Sequence, residues 1–409
     1  MRFIADLHIH SSFSRAVSRD MTLDNLDLWG KKKGIKVIGT GDFTHPRWFA
    51  DIESLLVPAE PGLFKLKSKD SGTRFLLTTE ISNIYSRGGA TRRVHNLVFA
   101  PDTATVRKIN ESLIRRGANL ISDGRPIIGL DSEELLKMVL GANPEAAFVP
   151  AHAWTPWFSV FGSMSGFDSL EEAFGEETKN IFAIETGLSS DPAMNWRLSK
   201  LDNISLISNS DSHSLQRLGR EANVFDTELS YRGIMDAIKS RDCSKFLETI
   251  EFFPEEGKYH FDGHRNCGIS LSPEETLKLG GKCPVCGKPL TIGVLNRVHK
   301  LADRPNGYVD EKKIPYKSLI PLDEIIAEAY GVGTSSKKVK EEYERIVSAT
   351  PELEVLMDKS EAELFSLIDP KIAEGIVKVR RGEVEIAPGY DGEYGKIKIF
   401  KEEKANSLF

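Results

Sequence analysis

No apolar run in the 409-residue chain approaches the ~18 to 20 residues that a membrane span needs. Its first residues, Met1-Arg2-Phe3-Ile4-Ala5-Asp6-Leu7-His8, lack the apolar stretch of a signal peptide. Four cysteines are too few for a disulfide scaffold, and the pair in Cys283-Pro-Val-Cys286 favours metal binding in a reducing compartment. Neither charge dominates: Lys+Arg 54 against Asp+Glu 60 leaves a formal charge of -6, which excludes a nucleic-acid binder of the simple basic kind. No GxGxxG or Walker A sequence follows any candidate strand, so dinucleotide and P-loop chemistry lose support. Secreted, membrane-spanning, collagen-like and disordered classes are set aside, and the expected setting is the cytoplasm.

What is present points to a large catalytic unit with smaller additions. The length exceeds a usual single domain, while 40% hydrophobic and 28% charged residues are ordinary for a packed globular chain. Up to about Thr249, short β-branched runs alternate with amphipathic stretches. Candidate strands are 2–6, 36–40, 75–79, 94–99, 147–150, 181–185, 204–208 and 222–225; candidate helices are 23–33, 103–116, 132–140 and 231–240. That alternation predicts an α/β fold with a mostly parallel sheet, either doubly wound or closed as a barrel. Residues 250–318 are rich in Gly, Pro, Cys, His and Lys and predict a metal-stapled module. From 319 to 409 the pattern is helical, with a turn-rich run into one last strand near Lys396–Phe400.

The histidines and carboxylates carry the chemistry. His8 and His10 follow the first strand, Asp42 and His45 the second, and Glu80 caps the third. His95 lies within the fourth, His152 follows Val149-Pro150, and Asp211 and His213 follow the strand ending at Ser208. In a barrel, strand ends converge on one face, so these scattered positions become neighbours. Imidazole with carboxylate is a ligand set for transition metals. A set this large predicts two or three divalent ions (zinc, manganese or magnesium), an arrangement suited to phosphoester hydrolysis, with Asp211 and His213 as catalytic candidates. Asp191 is a further catalytic candidate, although Asp before Pro192 is also a common helix N-cap.

His264, Cys267, Cys283 and Cys286 form HxxC and CxxC pairs with fifteen residues between them. They are the ligands expected of one closed structural zinc, and Gly287 supports the knuckle turn. Cys243 reads as a buried core thiol on the preceding helix. Arg87, Arg92 and Arg93 form one acid-free basic patch around Gly88-Gly89. Lys288 and Arg297 belong to another, and Arg197 is placed to reach a phosphate. Trp154 and Trp157, with Phe158 and Phe161, follow His152 and offer a stacking surface for a base; a loop packed on the helical part is the alternative.

The order of these groups resembles the PHP superfamily, whose members carry a distorted (β/α)7 barrel with a trinuclear metal centre. His8 and His10 match its first motif, Asp42 its second, Glu80 and His95 its third, His152 the next, and Asp211 with His213 the last. The second motif usually reads Asp-His; here Phe43 follows Asp42, which makes His45 the candidate replacement ligand. A PHP barrel (1–249) followed by a zinc module (250–318) and a helical segment (319–409) is similar to the endonuclease Q family. The telling stretches are Ala5–Ser12, Gly187–Arg197, Ser208–Ser214 and Arg297–Arg304. That resemblance implies a nucleoid-associated DNA-repair enzyme that incises the backbone 5′ of uracil, hypoxanthine, xanthine and abasic sites, probing bases by flipping them. A PHP phosphatase for small esters and an exonuclease on DNA ends are the alternatives. A sliding-clamp-type partner is a further expectation, with Ala405–Phe409 as the candidate contact.

Overall fold

The computed structural model describes residues 1–69 and 72–400; the Ala405–Phe409 peptide lies outside them. The strands are β1 (Arg2–Asp6), β2 (Val37–Gly39), β3 (Leu56–Pro58), β4 (Phe64–Leu66), β5 (Arg74–Arg87), β6 (Ala90–Ala100), β7 (Ile127–Ile128), β8 (Ala147–Pro150), β9 (Ala183–Glu185), β10 (Ser205–Ile207), β11 (Ala222–Asp226) and β12 (Phe246–Glu251). The helices among them are α1 (Leu23–Lys33), α2 (Pro46–Leu55), α3 (Thr103–Arg115), α4 (Ser132–Ala142), α5 (Leu170–Phe174), α6 (Pro192–Trp196) and α7 (Tyr231–Ser240). Beyond them come β13 (Asp262–His264), β14 (Ile269–Leu271), α8 (Pro273–Lys278), α9 (Val294–Leu301) and β15 (Tyr316–Ser318). The last part holds α10 (Leu322–Tyr330), α11 (Lys337–Ala349), α12 (Glu352–Met357), α13 (Glu361–Leu367), α14 (Pro370–Arg380) and a hairpin of β16 (Glu385–Ala387) and β17 (Lys396–Lys398).

The main sheet runs β15-β12-β11-β1-β2-β5-β4-β3, with β6 bridging β5 to β8 and β7 on β5. It is mixed, which corrects the expectation of a mostly parallel sheet. β1–β2 and β2–β5 are parallel, whereas β1–β11, β5–β6 and β6–β8 are antiparallel. For the β5–β6 pair the physical reason is the Gly88-Gly89 turn. Both glycines sit at positive φ (62° and 74°), as a two-residue hairpin turn of the twisted kind demands. They fold β5 directly back on β6 without a crossover helix.

Small and branched side chains from nine strands meet in one interior core: Ala5, Val37, Leu76, Leu97, Val149, Ala183, Ile207, Phe225 and Phe246. The hydrogen-bonded ladder does not close around that core; β9 and β10 pair only with each other. A second, larger core packs the helices outside. Helix α1 shows why these elements form. Leu23, Leu26 and Gly30 face inward, three lysines occupy the last turn, and Gly34 at φ 81° caps the end.

Helix α1 also ties the sheet to the C-terminal helices. Lys33 Nζ lies 2.7 Å from Glu352 Oε2, with both side chains only 3% exposed. Tyr343 donates to the same carboxylate at 2.6 Å and the Leu322 N–H at 3.2 Å. Removing one partner of a buried ion pair strands the other charge. Lys33→Met is therefore expected to cost about 3–5 kcal/mol in urea unfolding, with the Lys33→Met/Glu352→Gln double variant recovering much of it. A single variant as stable as the parent would show that the pair is not what holds the two parts together.

Candidate metal centre

Backbone strain marks the site before any side chain is considered. Of the seven non-glycine residues at positive φ among the described residues, three are Asp42 (49°), His152 (27°) and Asp211 (46°); such strain gathers where a fold must aim a side chain. The loops after β1, β8 and β10, with the bodies of β5 and β6, bring two adjacent groups together. His8, His10 and Asp211 form one; Glu80, His95 and His152 form the other. Within each, the ligand atoms lie within 4.8 Å of one another.

Glu80 belongs to both. Its Oε1 is 2.7 Å from His95 Nδ1 and 3.0 Å from His152 Nε2. Its Oε2 is 3.3 Å from His10 Nε2 and 3.9 Å from His8 Nε2. Asp211 Oδ1 completes the first group, 3.1 Å from His10 Nε2 and 3.6 Å from His8 Nε2.

Does this donor set fit a cation? His8 Nε2, His10 Nε2 and Asp211 Oδ1 are buried and, close as they lie, make no hydrogen bond of good geometry among the described residues. Buried polar atoms are rarely left so, and three converging at one point are accounted for by an ion between them. Electrostatics agrees. Burial alone would lower His8, but the carboxylates of Glu185, Asp211 and Glu80 push it up to about 9. His10 is likewise carried well above its usual value, against burial, by Asp42, Asp211 and Glu80. Burial would raise Glu80, yet His95, His10 and His152 hold it well below the carboxylate range. The surplus negative charge calls for positive charge in the site. Burial pushes His95 down to about 4, so its ring is neutral and a lone pair is free. The set fits divalent metal ions.

Two carboxylates stand behind the ligands. Asp42 Oδ1 holds His10 Nδ1 at 3.0 Å, while Oδ2 accepts from Ser11 N–H and Oγ (both 2.6 Å) and from Ser14 Oγ (2.9 Å). It is thereby turned away from both groups. Glu185, unremarked in the sequence, holds His8 Nδ1 at 3.0 Å and also accepts from His152 N–H and Asn209 Nδ2. Such partners fix the tautomer that leaves Nε2 to a metal. The position of Glu185 at the end of a predicted strand, like Glu80, was the legible signal for it.

Other expected site residues are used differently. His45 does not replace a ligand: it caps α2, its Nε2 meets the Ile121 carbonyl at 3.2 Å, and its ring stacks on Phe13. His213 lies outside both groups, its ring edge-on to His10 at 4.8 Å. Asp191 is the N-cap of α6, accepting from Met194 N–H at 2.8 Å. Trp154 is fully buried with its indole N–H on Asn195, so it is a core residue and no stacking surface. Trp157 is 39% exposed and meets Tyr259 edge-on.

The basic patches divide in the same way. Arg87 pairs with Asp131 and Glu133 and donates to the Ala173 carbonyl. Arg92 donates to the Gly166 carbonyl and lies over Phe167; Arg93 lies over Phe158. Arg297 is buried, donating to the carbonyls of Phe161 and Phe167 and to Asp168. Arg197 is buried against His299. Lys288 is exposed. Sequence shows that these residues are cationic, not that protein carbonyls already take donors from Arg87, Arg92 and Arg297. Cys243 is likewise exposed and lies past the end of α7, contrary to the core reading.

Later in the chain the second predicted centre assembles. His264, Cys267, Cys283 and Cys286 have ligand atoms within 4.8 Å of one another. Gly287, at φ 74°, makes the knuckle by donating to the Cys283 carbonyl at 2.9 Å.

A family described as the MJ0043 C-terminal domain matches residues 321–383. The uncharacterized protein MJ0043 of Methanocaldococcus jannaschii is 36% identical over 264 residues, 62% of this chain, but the match spans only 32% of that protein's own length. Crystal structures give a full-length likeness. The lesion-specific endonuclease PfuEndoQ of Pyrococcus furiosus superposes with a TM-score of 0.86 at 33% identity, covering 100% of both chains. An endonuclease Q bound to a 27-mer duplex substrate with an abasic lesion at its active site superposes at 0.85 with the same identity and coverage. The chain is therefore a DNA-cleaving hydrolase. Within that class it belongs to the endonuclease Q family.

Proposed function

We propose that the protein is a metal-dependent DNA-repair endonuclease that hydrolyses the phosphodiester 5′ of abasic sites and of deaminated bases. The observation that carries the reading is Glu80, a single carboxylate shared by two imidazole-rich groups in a site with three buried ligand atoms that make no hydrogen bond of good geometry. His8, His10 and Asp211 would hold one divalent cation and Glu80, His95 and His152 a second. Asp42 and Glu185 orient His10 and His8. When bound, such a pair of ions activates water and neutralises charge at the phosphate. His213, 35% exposed beside Asp211, faces the DNA, and Asp191 acts through the helix it caps. The nine strands around one interior core are read as a distorted barrel whose ladder is interrupted beside β9 and β10.

The loop after His152 runs past His95, whose N–H it receives at Phe158. It then forms one wall of a cavity of about 580 Å³ lined by Trp157, Met164, Tyr259, Ile292 and Asn296. Its lining comes from residues 156–164 on one side and residues 259–300 on the other. Its size and partly exposed aromatic wall suit an extruded base or an abasic sugar, and exposed Lys288 and half-buried Arg93 suit flanking phosphates.

A labelled duplex with one internal abasic site, and a second with one internal deoxyuridine, test the reading. One internal nick 5′ of the lesion, lost on chelation and restored by divalent metal, is the expected result. A ladder from the DNA end would make the protein an exonuclease. Hydrolysis of p-nitrophenyl phosphate alone would make it a small-ester phosphatase.

A further inference from the structure

We infer that Arg125, a residue with no ligand or capping role, is a catalytic group that grips the scissile phosphate; the inference rests on the endonuclease reading above. Arg125 Nη1 lies 3.1 Å from Glu80 Oε2, the oxygen that faces the His8, His10 and Asp211 group. The Arg125 side chain is 25% exposed while Glu80 is 0% exposed, so the guanidinium stands at the mouth of the site with the metal ligands beneath it. Among the described residues it makes that one side-chain hydrogen bond, although a guanidinium carries five N–H donors. Its other N–H donors make no hydrogen bond among the described residues, although Asp211 and Asp123 lie in its electrostatic surroundings.

The backbone on either side is fixed, so the group is held ready. Gly124 N–H donates to the Phe13 carbonyl at 3.1 Å, and Thr44 Oγ1 donates to the Gly124 carbonyl at 3.1 Å. Ser82 N–H donates to the Pro126 carbonyl at 3.0 Å, and Arg125 N–H itself donates to Asp123 Oδ1 at 3.1 Å. A Cβ at Gly124 would come within 2.4 Å of Asp42 Oδ2 and Ser14 Oγ, so the loop is pressed against the residues that orient His10. Asp123 also pairs with Arg15, whose side chain is 75% exposed. A second cation thus flanks the same mouth.

A structural pairing alone does not explain this placement. Glu80 already has four imidazoles around it, and a buried carboxylate satisfied by these groups has no need of a fifth, partly exposed partner. Hydrolysis supplies the need. The water oxygen bonds to phosphorus and the P–O ester bond breaks. One water proton ends on the departing alkoxide, leaving a hydroxyl on one strand end and a phosphate monoester on the other. Negative charge builds on the non-bridging oxygens as the bond forms, and a planar guanidinium a few ångströms from that point matches two of them at once. Donors positioned for such charge are worth about 10²–10³ in rate.

Arg125→Ala is expected to cut the abasic duplex about 10²–10³-fold more slowly in single turnover, with bound metal and DNA affinity within about threefold of the parent. Guanidinium at millimolar concentration should restore part of the rate to this variant and none to Glu80→Ala, and Arg125→Lys should fall in between. An Arg125→Ala enzyme as fast as the parent would overturn the assignment. So would one that loses metal along with rate, because Arg125 would then only support Glu80, and so would one that guanidinium fails to rescue. If the parent protein itself leaves both duplexes intact, it is the endonuclease reading that fails, and this comparison separates the two.

Discussion

Glu80→Ala is expected to lower incision of an abasic duplex by about 10⁴-fold or more, the loss typical of a group that acts as one unit with its neighbours. The size follows from geometry. Each of the other ligand candidates serves one group, whereas Glu80 presents Oε1 to His95 and His152 and Oε2 to His8 and His10. Its removal also leaves five imidazoles and carboxylates without the charge that separates them. The variant should retain fewer bound divalent ions than the parent by elemental analysis, and its circular dichroism should be unchanged, since Glu80 is not part of the apolar cores. Glu80→Gln keeps the shape and one good oxygen, so it should retain the ion bound through Oε1 or Oε2 but not both. An alanine variant that keeps every ion and cuts within about tenfold of the parent would remove the shared-carboxylate site as the basis of activity.

How far the site was legible follows from which forces set each position. His8, His10, Glu80, His95, His152 and Asp211 could be read because a polar metal-type ligand in or just after an apolar strand is a local feature, and it recurs on five strands, although Glu80 and His95 lie within long β5 and β6 and not at their ends. Element boundaries such as 2–6, 23–33, 147–150 and 231–240 could be read because burial imposes its period on a short window. Asp42 and His45 could be read as polar groups after β2, but not as an orienting group and a cap. That outcome depends on Ser11, Ser14 and the Ile121 carbonyl, which reach them from other parts of the chain. Arg87, Arg297 and Trp154 turn out differently for the same reason: whether a cation or an indole faces solvent is decided by a carboxylate, a carbonyl and an amide more than forty residues away, or as many as 136. Arg125 gave no sequence signal at all, being a lone arginine in a loop. The Gly88-Gly89 pair is itself a local hairpin signal, flanked by arginines, and it turns β5 back on an antiparallel β6.

The zinc-type group permits the other large effect. Cys283→Ser is expected to release about one zinc per chain and to unfold residues 262–292 while the main sheet persists. Residue Cys283 is buried, its N–H is taken by the Lys288 carbonyl, and its own carbonyl receives Gly287. Burial would raise its thiol, but the N–H groups of Cys286 and Val285 outweigh burial and hold it below the usual range, which favours the thiolate a metal needs. Around it the module offers little else. Val285, Leu277 and Ile292 are exposed, and β13 and β14 contribute three residues each. Structural zinc in such small units supplies on the order of 10 kcal/mol of folding free energy, far more than those strands can replace. Limited proteolysis should therefore cut within 262–292 in the variant and leave the parent intact there, while chelator treatment of the parent should reproduce the pattern. Incision should fall as well, because Tyr259, Ile292 and Asn296 wall the proposed lesion cavity and Arg297 anchors α9 to the loop that carries Trp157. An unchanged zinc count together with an unchanged cleavage pattern would mean that His264, Cys267, Cys283 and Cys286 stand together without a structural ion.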